Sequence, residues 1–304
     1  MTALGAFLVG LRRSCSHWRI VVPLYAANLI VAALSAIALY GALRSAFELS
    51  EAPRAFLEGF DLTTLADMLR EHGEGVGSLL GQLPWIIVLY LLVSTFFAGG
   101  VLSTLSQRER PTMSAFLHGC AAHAGRFYRL LAAMAIISVL AAVATMVICA
   151  LLYDAIAGDA TSEWGLFWAL GLCAGVCAVV AALLVSVSDY ARILIVTRGV
   201  TRIRESLRGS VRFITSHPLP VAALIVLYSL TFILLTVLYT MLEDAIPGGA
   251  VAVWVVAQQL FIASRIWVRV AGCASQLALF GSRWEEAPRE EPREDHLAIY
   301  RARI

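Results

Sequence analysis

The chain has 304 residues, 60% of them hydrophobic, and a formal net charge of only +2. That balance argues against a nucleic-acid-binding protein, which needs a concentrated basic surface. It also argues against a soluble helical domain, in which each helix keeps a polar face. All 23 basic residues are arginine, a bias that points to a GC-rich bacterial genome more than to a mechanism.

In chain order, residues 1–19 open with a short apolar stretch, Ala3–Leu11, that precedes Arg12 and Arg13. A secretory signal peptide has the opposite order, so this segment is expected to be retained. Six apolar runs follow, at about 20–43, 85–105, 130–153, 164–188, 219–242 and 249–268. A hydrocarbon core about 30 Å thick takes roughly 20 apolar residues of helix, and backbone polar groups in lipid must pair within their own segment. The expected fold is therefore an all-α membrane protein with six transmembrane helices over residues 1–282. A charged tail covers 283–304.

The gaps sort by sign. The stretch to Arg19, the loop Arg108–Arg129 and the loop Asp189–His217 hold 13 Arg against 3 acids. The other three gaps, Arg44–Pro84, Asp154–Glu163 and Glu243–Gly248, hold 3 Arg against 12 acids. By the positive-inside rule the arginine-rich segments and both termini are expected in the cytoplasm of a bacterial inner membrane. Trp85, Trp164, Tyr40, Tyr153 and Tyr239 are then expected at the outer surface, and Trp18, Tyr25, Tyr128 and Tyr190 at the inner one. In the long acidic loop, Asp61 is placed to cap a helix reaching about Glu71, and His72 with Glu71 and Glu74 reads as solvated turn chemistry.

A pattern recurs before the odd-numbered spans. Phe7-Leu8-Val9-Gly10 leads to Trp18-Arg19-Ile20, Phe116-Leu117-His118-Gly119 leads to Tyr128-Arg129-Leu130, and Leu207-Arg208-Gly209 leads to His217-Pro218. Three repeated two-helix units are expected, each introduced by a short amphipathic helix on the membrane surface. In the third, Val200, Ile203, Leu207, Val211 and Ile214 form an apolar stripe with arginines beside it. Arg198, Arg202, Arg208 and Arg212 are the candidate contacts for anionic lipid, with plain anchoring as the simpler role.

Polar groups inside spans are few. Asp189 ends the fourth span with Arg192 one turn on, and Arg265 and Arg269 extend the sixth to a similar depth, so the four are expected to cluster. That cluster either neutralises charge at the interface or forms a site for an anionic lipid or other substrate. Gln258, Gln259 and Asn28 are expected to make interhelical hydrogen bonds. Gly171, Gly175, Ala178 and Ala182 form a small-residue stripe that suggests close packing of the fourth helix. Cys173 and Cys177 share a helix face, and packing is the expected role. No catalytic constellation, metal motif or cofactor fingerprint is present, so no enzymatic activity is expected.

Ala98-Gly99-Gly100-Val101, Ser114-Ala115-Phe116, Asp189-Tyr190-Ala191-Arg192, Ser206-Leu207-Arg208 and Phe213 before His217-Pro218 carry a resemblance. Over most of residues 1–280 the chain resembles a broad, uncharacterised bacterial family of six-helix inner-membrane proteins. That family is similar to the membrane domain attached to some glycerophosphodiester phosphodiesterases. The resemblance implies fold and location, not activity, because no phosphodiesterase domain is present. The leading expectation is a scaffold or accessory protein binding membrane lipid or protein partners, its tail being a solvated segment or, alternatively, a docking one. The alternative is a lipid or small-molecule translocator working through the Asp189 cluster.

Overall fold

A computed structural model of the chain describes residues 1–47, 73–107, 112–157, 163–246 and 250–284. The expected helix from Asp61 to Glu71, His72, and the tail beyond Trp284 lie outside the described residues. Among those described, the protein is helical throughout and contains no strand. Its helices are α1 (Ala3–Ser16), α2 (Val21–Phe47), α3 (Gly73–Ser106), α4 (Met113–Ala157), α5 (Glu163–Arg198), α6 (Ile203–Ser216), α7 (Pro218–Ala245) and α8 (Val251–Trp284). A 3-10 turn over Trp18–Ile20 joins the first two.

Six helices are long and apolar enough to cross a membrane, namely α2 with its preceding turn, α3, α4, α5, α7 and α8. Their side chains agree with a lipid surround, since large apolar residues such as Ile37, Ile136, Leu151, Leu234 and Leu260 are exposed along them. The protein is a multi-pass membrane protein. Trp85, Trp164 and Tyr40 are strongly exposed near the span ends.

The helix ends are set by proline and glycine. Arg198 closes α5 because Gly199 adopts φ +63°, the left-handed conformation that stops a helix without steric cost. Pro218 opens α7 at the first helical position, and His217 before it is pushed out of the helical region. The break before α2 has a related cause. The ring of Pro23 obstructs helix continuity back to the carbonyl of Arg19, and the chain turns at Trp18–Ile20.

No proline falls between Met113 and Ala157, and here the structure departs from expectation. The second arginine-rich segment is not a separate surface helix but the first part of the 45-residue α4. At 1.5 Å per residue α4 is about 68 Å long, roughly twice the hydrocarbon thickness, so one end stands clear of the membrane. Helix α8 likewise continues to Trp284 rather than ending near residue 268.

The contacts divide the chain into two compact units. One contains Met1–Ser16, Ala141–Leu238 and the chain from Val268; the other contains His17–Leu140 and Tyr239–Trp267. In the second unit, α2 packs along α3. Gly100 near the end of α3 lies against Phe116 and Cys120 of α4. A Cβ there would stand 2.8 Å from the Phe116 carbonyl oxygen and clash with the Cys120 sulfur. In the first unit, α6 packs on α5, where the Ser206 hydroxyl donates to the Ala191 carbonyl at 2.8 Å. In the same unit Gly10 of α1 lies so close to α8 that a Cβ would clash with the Ser275 hydroxyl and stand 2.7 Å from the Ala271 carbonyl.

All three contacts join an arginine-rich segment to a span helix. Each arginine-rich segment seats small or slim residues on a small residue near the end of a span helix, at Ala271, Gly100 or Ala191. The three segments are those in which the sequence pattern recurs.

Candidate functional site

The polar residues of the first unit gather at the arginine-rich end of α5. Asp189 and Arg192, one turn apart, form an ion pair at 3.5 Å with side chains 24% and 16% exposed. The second carboxylate oxygen of Asp189 accepts a hydrogen bond from Gln276 Nε2 of α8 at 3.2 Å. Arg269 lies two turns before Gln276 on the same helix. Arg192 Nε is buried with no acceptor among the described residues. The cluster therefore holds an unsatisfied buried donor, which suits an anion.

Of the four predicted members, Asp189 and Arg192 are joined directly, while Arg269 stands on α8 two turns before the Gln276 partner. Arg265 lies one turn away from Arg269, in the other unit, with its guanidinium 5.7 Å from the centre of the Phe261 ring. Gln276 was not anticipated because it lies beyond the predicted end of the sixth span. A continuation of the helical period past Arg269 would have found it: Arg265, Arg269 and Gln276 fall on one face.

Beneath the cluster is an aromatic core. Tyr190 is buried rather than marking the membrane surface, because its ring packs 4.8 Å from Phe213 of α6, which also meets Phe280 at 5.0 Å. Trp284 stacks on Phe280, and Arg198 lies over the Trp284 ring at 5.9 Å. These tilted and stacked pairs fasten α6 to α5 and α8. Ser275 adds a polar tie: it shares a 2.7 Å bond with the Tyr228 hydroxyl and donates to the Phe7 carbonyl at 3.4 Å.

Helix α6 exposes what this core leaves over. Its protein face is Ser206, Ser210, Phe213 and Ile214, not the predicted stripe as a whole. Leu207 and Val211 occupy the adjoining sector, with Val211 47% exposed. Next around the helix come Arg204, Arg208 and Arg212, all exposed. Among the predicted lipid contacts, Arg208 and Arg212 present themselves outward. Arg202 pairs with Glu205 at 3.4 Å on the surface, and Arg198 is engaged on Trp284.

Other expectations fare differently. Gln259 makes the interhelical bond foreseen, accepting from the Tyr25 hydroxyl at 2.6 Å. Asn28 instead donates to Leu24 of its own helix at 3.0 Å, and Gln258 is exposed. Gly171 and Gly175 are also exposed, with no atom within 4 Å of an added Cβ, so the small-residue stripe does not mark close helix packing. Close approach falls instead at Gly10 and Gly100. The thiol of Cys149 in α4 meets Cys173 in α5, each within 3.5–3.9 Å of the other's carbonyl oxygen. Among the described residues no group of three or more metal-ligating side chains converges.

Comparisons with protein-family models, with curated proteins and with solved structures return no match.

Proposed function

We propose that this multi-pass membrane protein is a non-enzymatic scaffold or accessory protein of the bacterial inner membrane, with its arginine-rich surface in the cytoplasm and its termini on that side. In this reading it engages anionic lipid headgroups, and it belongs with the six-helix family it resembles. The carrying observation is the division of α6 into three sectors. Ser206, Ser210 and Phe213 hold the helix to the protein, Leu207 and Val211 offer an apolar edge, and Arg204, Arg208 and Arg212 line the free face. A helix so divided rests with its apolar edge in lipid and its arginines at headgroup level.

Each arginine near an anionic surface contributes about 1 kcal/mol, so three give on the order of a hundredfold preference. The test is native mass spectrometry of the purified protein titrated with phosphatidylglycerol and phosphatidylcholine. Wild type should retain phosphatidylglycerol preferentially, and the triple variant Arg204→Gln, Arg208→Gln, Arg212→Gln should lose most of that preference. Equal retention of both lipids by wild type would defeat the proposal.

A second reading, a lipid or small-molecule translocator, is favoured by one observation, the buried, unsatisfied Arg192 Nε. Proteoliposomes holding a fluorescent anionic lipid test it. Protein-dependent transbilayer movement that disappears with Arg192→Gln supports translocation, and no movement above protein-free vesicles dismisses it.

A further inference from the structure

The second unit contains a lateral groove of about 520 Å³ between the start of α2 and the middle of α8, with Trp18, Val22 and Tyr25 on one wall and Ala263, Ser264 and Trp267 on the other. Its size falls within the range of small-molecule sites, roughly 300–1,000 Å³. The geometry points to a binding site for one acyl chain of an anionic phospholipid, drawn from the leaflet that borders the arginine-rich surface. The site is separate from α6 and does not rest on the role given to that helix.

Four features select this occupant. First, the walls offer almost no hydrogen bonding. Ser264, the hydroxyl of the α8 wall, donates back to the Phe261 carbonyl at 2.7 Å, and the Tyr25 hydroxyl is held by Gln259 at 2.6 Å. A polar solute entering here would lose its water without replacement, at a cost of a few kcal/mol per group. An alkyl chain loses nothing.

Second, the Tyr25–Gln259 bond bridges α2 and α8 and fastens the two walls at that end. The groove runs from there to Trp18 and Trp267, seven or eight residues away on each helix. At 1.5 Å per residue that is about 10 Å, or two thirds of the ~15 Å depth of one leaflet. The length therefore suits a chain entering from one side of the bilayer, not a molecule crossing it.

Third, the two tryptophans mark the mouth. Trp18 begins the first span and is 59% exposed, and indole rings prefer the headgroup boundary. Fourth, Arg19 follows Trp18 directly and is exposed at the same level, where its guanidinium matches a headgroup phosphate. Arg265 is not part of this mouth. It leaves α8 on a different side from Ala263 and Trp267, towards Phe261.

The experiment uses the full-length protein in nanodiscs with phosphatidylglycerol carrying a photoactivatable group on one acyl chain, followed by peptide mapping. Labelling is expected to concentrate on 18–25 and 260–267, and excess unlabelled phosphatidylglycerol should compete for it. Ala263→Phe fills the groove and should reduce this labelling roughly tenfold, the equivalent of about 1.4 kcal/mol. Should that variant fail to elute as a monodisperse species, Val22→Phe fills the opposite wall and is expected to do the same. Arg19→Gln should leave the positions labelled unchanged and remove the preference over a phosphatidylcholine probe.

Label spread evenly over lipid-facing positions such as Leu34, Ile136 and Leu151 would overturn the site. So would labelling that persists in both filled variants, or competition by a free fatty acid but not by phosphatidylglycerol. Crosslinks joining two copies through Trp18 would assign the groove to a second protomer instead. Equal labelling by both probes would overturn the anionic assignment.

Discussion

Residues 203–216 form a helix of their own, bounded by Gly199 on one side and His217-Pro218 on the other. Residues 113–129, which carry the corresponding Phe116 and Gly119, run unbroken into the span that follows them. Both segments nevertheless seat small residues on a small residue of a span helix, Ser206 on Ala191 and Cys120 on Gly100. The backbone break is therefore not common to these segments. What recurs is the close side-chain contact, and whether the helix bends afterwards depends on a proline one or more residues downstream. The contact between α1 and α8 supports the same conclusion, because Gly10 seats on Ala271 and the turn before Pro23 follows.

If the contact is the preserved unit, adding volume to it should cost more than altering the bend. The largest effect is expected at Gly10. Helix propensity alone would favour Gly10→Ala by about 1 kcal/mol. The added Cβ, however, meets the Ser275 hydroxyl and stands 2.7 Å from the Ala271 carbonyl and 2.8 Å from the Ser275 amide, all anchored atoms. Overpacking of this kind costs about 1–3 kcal/mol or more, and its upper end, offset by the propensity gain, gives an expected net loss of roughly 2 kcal/mol. Unfolding in mixed micelles, compared with wild type, measures it. Gly100→Ala should follow closely, since the Phe116 carbonyl lies 2.8 Å from its Cβ. A gain in stability at either position would show that the contact is loose and the repeat accidental.

The next effect separates the polar cluster from the packing motif. Asp189→Ala leaves Arg192 half-buried without its carboxylate and Gln276 without its acceptor. A loss of about 2 kcal/mol is expected, less than the 3–5 kcal/mol of a fully buried pair because both side chains retain some solvent. Asp189→Asn should lose about half as much, because the amide oxygen can still accept from Gln276. Equal losses for the two variants in the same unfolding experiment would assign the residue's contribution to charge alone.

How much of this was legible in the sequence follows from the range of the forces involved. The spans were readable because each is a local run whose transfer into lipid depends on its own composition. The pairing of Asp189 with Arg192 was readable for the same reason, being one helical turn. The Cys149 contact was not, because its partner lies 24 residues away on another helix. Nor was Gln276, because it lies past the end of the sixth apolar run near residue 268. Tyr190 misled for a related reason: its position at a span end suits an interfacial aromatic, and only packing against Phe213 buries it. The continuity of α4 was legible in principle, from the absence of proline after residue 111, but amphipathicity suggested a surface helix where the backbone had no reason to bend. Small-residue stripes gave the opposite error. Gly171 and Gly175 have the composition of a helix contact and no neighbour, whereas Gly10 and Gly100 are closely packed.

The smallest effect gives the sharpest test of the recurring contact, because it is expected at the equivalent position of α6. A Cβ on Gly209 would stand 2.9 Å from Cδ1 of Leu194, the far end of a flexible side chain, with the rest of that side chain at 3.8 Å and beyond and no backbone atom near. Leu194 can rotate or shift by a few tenths of an ångström, at a cost below that of moving a carbonyl. The gain in helix propensity, about 1 kcal/mol, then offsets most of the crowding. Gly209→Ala should therefore fall within about 0.5 kcal/mol of wild type in the same micelle experiment. The same substitution at Gly10, Gly100 and Gly209 thus ranks the three contacts by what faces the glycine, backbone in the first two and a side-chain tip in the third. A loss at Gly209 as large as at Gly10 would mean that α6 is held at its glycine edge. In that case the Ser206 bond and the Phe213 aromatic contacts would be secondary attachments.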